Sequence, residues 1–133
     1  MALISVTRLR LRSWLYFPGF LFYTTRSSRQ AQNSAGNMGV RLLKDGSRTF
    51  WTCTAWTDEA SMKAFMTASP HLEAMKKLPR WCSEAAMVHW IQSEPTFPDW
   101  QEAYRKLKAQ GRRSKVLYPS KVHDSGDFPA PRG

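Results

Sequence analysis

The sequence predicts a single α+β domain, and three observations carry that prediction. The chain has 133 residues and 42% apolar side chains, which suits one domain around one core. Residues 3–13 alternate with the period of two that a strand requires, and residues 48–57 do so again. Between the later strand patterns, Met62, Phe65 and Met66 recur at the i, i+3, i+4 spacing of a helix face.

The elements follow in order. In the first strand Thr7, Leu9 and Leu11 share one face, and Arg8, Arg10 and Arg12 share the other. A row of arginines is commonly a solvated face. If helices cover one side of the sheet and a second subunit the other, these arginines need carboxylates or a ligand anion, because unpaired burial is costly. Asp58, Glu59, Glu73, Glu84 and Asp99 are the available partners, and the sequence does not choose among them. Pro18 suits the first turn of a helix, with Phe20, Leu21, Thr24, Ser27, Ser28 and Ala31 as its inward stripe. Residues 34–37 end it. Residues 38–43 form a second strand, 44–47 a hairpin turn and 48–57 a third strand. On that third strand Phe50, Thr52, Thr54 and Trp56 face one way, and Thr49, Trp51, Cys53 and Ala55 the other.

Thr57 or Asp58 caps the next helix; Ser69 as cap and Pro70 as first helical residue restart it. Leu72, Met75 and Leu78 continue its apolar stripe to Pro79. Residues 85–91 read as a fourth strand. Residues 96–99 resemble a capping box, from Thr96 to Asp99, for a last helix carrying Trp100, Ala103, Tyr104 and Leu107 on one face. The order β-α-β-β-α-β plus a terminal helix is that of the ferredoxin-like plait, spanning residues 1–110. Residues 111–133, basic and then rich in Pro and Gly, read as an extended arm or a disordered tail.

Charge is unevenly placed. The net charge is +10, yet residues 1–44 hold seven basic side chains and no acidic one. Such a half attracts anions, but no nucleic-acid-binding motif accompanies it, so no specific nucleic-acid partner is expected. The amino terminus imitates a targeting signal, but residues 14–23 are too short to span a bilayer and are broken by Pro18 and Gly19. The expected setting is the cytoplasm, without a transmembrane segment. Cys53 and Cys82 have no metal-binding spacing and read as buried free thiols.

No phosphate loop, nucleophile elbow or metal motif is present. His71 is the sharpest candidate, since a histidine at a helix start is biased toward its neutral, proton-accepting form. Spacing alone favours a structural histidine there. His89 reads as a satisfied core or interface histidine, and His123 as a tail residue without a specific role. The stripe of Met62, Phe65, Met66, Leu72 and Met75 is most simply core; it also suits the wall of a cavity for a flat or greasy ligand.

Several of these residues carry a family resemblance. The segment 49–56 with its two tryptophans, Ala64-Phe65, Ser69-Pro70-His71, Met75, Trp81, Val88-His89-Trp90 and the Pro98–Ala103 stretch together resemble the dimeric α/β-barrel superfamily. Within it, the chain is similar to an uncharacterised domain family related to spheroidene monooxygenase and, more distantly, to antibiotic-biosynthesis monooxygenases. The resemblance covers about residues 3–107. It implies a homodimer with facing sheets and, in each subunit, a pocket between sheet and helices. It also implies an oxygenase-like enzyme acting on an apolar or polycyclic small molecule, or a non-catalytic binding protein or scaffold of the same fold. Trp56, Phe65, Met66, Met75 and Arg8 are then the substrate-binding residues and His71 the catalytic one. His71 would act either as the axial ligand of a heme iron or, in a cofactor-free site, as the polar group that positions the ligand.

Overall fold

The computed structural model describes residues 1–46, 48–68, 71–94 and 96–131. Its sheet is built from β1 (Ala2–Leu11), β2 (Asn37–Asp45), β3 (Thr49–Trp56), β4 (Cys82–Gln92) and β5 (Arg112–Arg113). The spatial order is β2-β3-β1-β4-β5, and every neighbouring pair is antiparallel. A short 3-10 turn, Trp14–Tyr16, leads into α1 (Phe17–Gln32). The other helices are α2 (Glu59–Met66), α3 (His71–Trp81), α4 (Trp100–Gln110) and α5 (Lys121–Ser125). The four long strands, in the order β2-β3-β1-β4, are the ferredoxin-like plait expected from the element order.

Strand alternation divides the sheet into two unlike faces. One carries Leu3, Leu9, Phe50, Trp56 and Ala85, packed against Phe20 and Ala31 of α1 and Met62 and Phe65 of α2. The opposite face carries Ile4, Val6, Trp51, Cys53, Ala86, Val88 and Trp90. That second face is covered by the same chain: Ala103 and Leu107 of α4 pack on it, as does Phe128 beyond α5. A dimer with facing sheets would have to displace α4 and the segment that follows it.

Burial of this second face chooses the partner of the strand arginines. Arg8 is 3% exposed, and its Nη1 donates to Glu84 Oε1 at 2.7 Å. Arg10 Nη1 lies 3.8 Å from the other oxygen, Oε2, which also accepts from Ser120 Oγ at 3.0 Å. The Arg8 guanidinium lies 4.9 Å from the centre of the Phe128 ring. A buried carboxylate with this many donors keeps its charge compensated; with one partner removed it would not.

Residues 111–131 are therefore folded onto the domain rather than trailing from it. Backbone N–H groups of Ser114 and Ser120 donate to Ala85 and Ser83 of β4, and that of Leu117 to Pro79. Composition suggested a tail because the segment is polar. Its few apolar residues, Phe128 among them, find a sheet face that only the folded chain presents. His123, expected to have no role, is 7% exposed, and its Nδ1 accepts the Ala85 N–H at 3.2 Å.

Three smaller expectations also shift. Leu21, expected on the inward stripe of α1, is 50% exposed. The last helix is capped by Asp99, whose Oδ1 accepts the Glu102 N–H at 2.7 Å, and not by Thr96. A cap at Thr96 would make Phe97 helical, and Pro98 disfavours that conformation in the residue before it. β4 begins at Cys82, directly after α3, three residues earlier than the alternation indicates. Ser47, Ser69 and Pro70, expected in a turn and at a helix restart, lie outside the described residues, as does Pro95. The Asp58 cap is as expected, accepting the Ser61 N–H at 2.7 Å. Both cysteines are buried and free.

Candidate functional site

The cavity between the first sheet face and helices α1, α2 and α3 has a volume of about 340 Å³. It exists because the strands place small hydroxyl side chains where larger ones would have filled the space. Ser5 stands opposite Thr54, and Thr7 opposite Thr52, across the β1–β3 ladder. All four line the cavity. Thr24, Ser27 and Ser28 of α1 line it from the helix side. Ser27 Oγ is buried and has no hydrogen-bond partner among the described residues.

One end of the cavity is an aromatic ladder. The Trp56 and Phe65 rings are 5.2 Å apart, and the Phe65 and His71 rings 4.4 Å apart. Trp56 is fully buried and donates its Nε1–H to Thr54 Oγ1 at 2.9 Å, which fixes the indole. Met66 and Met75 line the same space, and Met75 is 37% exposed. The structure thus brings Trp56, Phe65, Met66, His71 and Met75 to one cavity. It does not bring Arg8 there: strand parity turns that side chain to the opposite face, where Glu84 holds it.

His71 opens α3 and is held from two directions. Its backbone N–H donates to Gln30 Oε1 at 2.9 Å. The Gln30 Nε2 group donates to the carbonyls of Phe65 and Ala68 at the end of α2, at 3.3 and 3.1 Å. One side chain of α1 thereby ties the end of α2 to the start of α3. The ring Nδ1 lies 3.3 Å from the Met66 carbonyl oxygen. A carbonyl only accepts, so Nδ1 carries the hydrogen, and Nε2 is left with the free lone pair. Burial lowers the His71 pKa below its ordinary value, against the opposing pull of the Met66 carbonyl. At neutral pH the side chain is a neutral imidazole with Nε2 available as base, acceptor or ligand.

The remaining lining is electrically quiet. Tyr23 and the exposed Lys115 are its other ionisable groups, and no carboxylate lines the cavity among the described residues. Among those residues no group of three His, Cys, Asp or Glu side chains is placed to hold a metal ion. A heme fits this lining poorly. Nε2 of His71 suits an axial ligand, with Nδ1 oriented by a backbone carbonyl as ligating histidines commonly are. However, two propionates would find Lys115 as their only cation, and the walls are otherwise apolar and hydroxyl. Both cysteine thiols are pushed up to about 12 by burial and are poor nucleophiles.

The hydroxyl floor was not recognised from sequence, although a signal for it existed. Thr52 and Thr54 share the strand face of Trp56, so alternation from that residue reaches both. Gln30 had no such signal, since it acts on a residue 41 positions away.

This plait with a cavity under its helices places the molecule among the ferredoxin-like α+β folds. A protein of Mycobacterium tuberculosis superimposes with a TM-score of 0.65 at 6% identity, covering 73% of this chain and 100% of its own. A provisionally named antibiotic biosynthesis monooxygenase of Nitrosomonas europaea gives 0.64 at 16%, covering 72% and 94%. SnoaB, a cofactor-independent oxygenase from Streptomyces nogalater, gives 0.59 at 14%, covering 74% and 98%. At such identities the likeness is one of fold. None of the curated proteins matches the chain. The chain belongs to the family of the domain of unknown function DUF3291, whose model matches residues 16–115.

Proposed function

We propose that this protein is a small cofactor-free oxygenase-like enzyme whose cavity takes an apolar, oxygen-substituted ring compound. The observation that carries the reading is His71: a neutral imidazole with its tautomer set by Met66, facing a cavity lined by apolar and hydroxyl groups. The shared fold of SnoaB, itself a cofactor-independent oxygenase, supports the class of chemistry and not the substrate. In this reading Trp56, Phe65, Met66 and Met75 hold the flat apolar body, and the hydroxyls of Thr52 and Thr54 orient its oxygens. His71 Nε2 takes a proton from a phenol or enol of the ligand, which turns it into an electron-rich anion. A ring carbon of that anion gives its electron pair to dioxygen, forming a C–O bond, and the resulting peroxide anion takes the proton back from the imidazolium. The reading is cofactor-free because the lining fits a heme poorly.

Oxygen uptake measured with a panel of two- to four-ring phenols tests this directly. His71→Gln should keep binding, read by fluorescence quenching, and lower oxygen uptake on the order of a hundredfold or more, as loss of a general base does. Uptake unchanged in that variant would remove His71 from the chemistry. Binding without any uptake in the native protein would leave a carrier of the same fold.

A further inference from the structure

The cavity uses the inner side of α1, and the outer side of the same helix carries a second feature. Trp14 and Leu15, in the turn before α1, are 46% and 79% exposed, and Leu21 and Phe22 on the helix are 50% and 53% exposed. Pro18, Leu21, Phe22, Thr25, Arg26 and Arg29 recur at helical spacing, and all are exposed. One helix face is therefore apolar for its first half and basic for its second. Lys44 Nζ lies 5.4 Å from the centre of the Trp14 ring, and the Arg26 guanidinium 5.3 Å from that of Phe22. The cations flank the apolar groups rather than standing apart from them.

We propose that this face is a docking surface for an anionic membrane, on which α1 lies in the plane of the interface. The segment that forms this face carries charge of one sign: the first acidic residue of the chain is Asp45, which is buried. Large apolar side chains interleaved with Lys and Arg are what an interfacial helix presents, the rings and aliphatic groups entering the headgroup boundary while the cations meet lipid phosphates and carboxylates. A second copy of the chain fits less well, because a twofold contact through this face would bring two basic surfaces together with no acidic side chain from residues 1–44 to offset them. A nucleic acid would leave Leu15, Leu21 and Phe22 without a partner, since its backbone offers charge and no apolar surface. None of the helices among the described residues is long and apolar enough to cross a membrane, so the contact is with the surface.

Cosedimentation of the full chain with vesicles tests the surface. The native protein should partition at least tenfold more strongly onto equimolar phosphatidylcholine–phosphatidylserine vesicles than onto phosphatidylcholine alone. The double variant Leu21→Ser/Phe22→Ser should lose at least about tenfold of that binding, because it removes the inserted apolar area. Arg26→Gln should lose about fivefold, the scale of one cation near an anionic surface. Both changes are at exposed positions, and unchanged thermal unfolding confirms that the fold is intact. Four results would overturn the proposal: no binding to the anionic vesicles, vesicle binding that the double serine variant retains, DNA binding that displaces the vesicles, or a dimer in solution that the double variant dissolves.

Discussion

The two faces of the sheet are made from the same strands and behave as opposites. The face under α4 and Phe128 is filled: Trp51, Ile4 and Val6 are fully buried there, and even its charged pair, Arg8 and Glu84, is closed off from water. The face under α1, α2 and α3 keeps about 340 Å³ of space, because Ser5, Thr7, Thr52 and Thr54 stand where the other face has isoleucine, valine and tryptophan. A one-residue step along a strand therefore separates the part of the molecule that supplies stability from the part that has room for a ligand.

Mutations on the filled face should break this contrast most strongly. Arg8→Ala should destabilise the fold by about 3–5 kcal/mol, measured by urea unfolding, since it leaves Glu84 buried without its main counter-charge. Phe128→Ala should cost about 3 kcal/mol in the same measurement, which a disordered tail would not show. On the open face the balance reverses. Thr52→Leu should change stability by no more than about 1 kcal/mol, as filling of existing space, while removing binding of ring compounds in a fluorescence titration.

The smallest effect is one of pH, and it engages both faces. The pKa of His71 is lowered by burial, and that of His123 by burial and then by Arg113. His123 also meets Asp124 on its own helix and Glu84 on β4, whose charges oppose that lowering. Below the ordinary value of 6.5 the unfolded chain binds protons that the folded one refuses, so stability is full above that pH and falls as pH drops toward the lowered folded-state values. Thermal scans between pH 8 and about 5 should show this decline. His123→Gln should flatten it, because protonation of Nδ1 is what breaks the bond from the Ala85 N–H.

Much of this was legible in the chain, and the exceptions share a cause. Alternation along residues 3–11 separates Leu9 from Arg8, and the spacing of Met62, Phe65 and Met66 gives the inward face of α2. Local chemistry also supplied the Asp58 cap. Leu21 was misread because an apolar residue at a helix margin can face either way, and packing against α3 and the sheet turned it outward. The sequence leaves Arg8 between a ligand anion and five carboxylates, because the one that pairs with it, Glu84, is 76 positions away. Gln30 and His123 were invisible for the same reason, since each acts on backbone groups that approach only in the folded chain.

What the sequence determined by itself is the element order, the parity of each strand and the uneven charge of the first 44 residues, all of which depend on neighbours within a few positions. The tertiary structure decided what covers each side of the sheet. It laid the carboxy-terminal segment over one face, where Phe128 and the Arg8–Glu84 pair are shielded from water together. It also left the other face open under α1, α2 and α3, because the summed volume of the facing side chains, a property no single stretch of sequence holds, falls short of filling the layer.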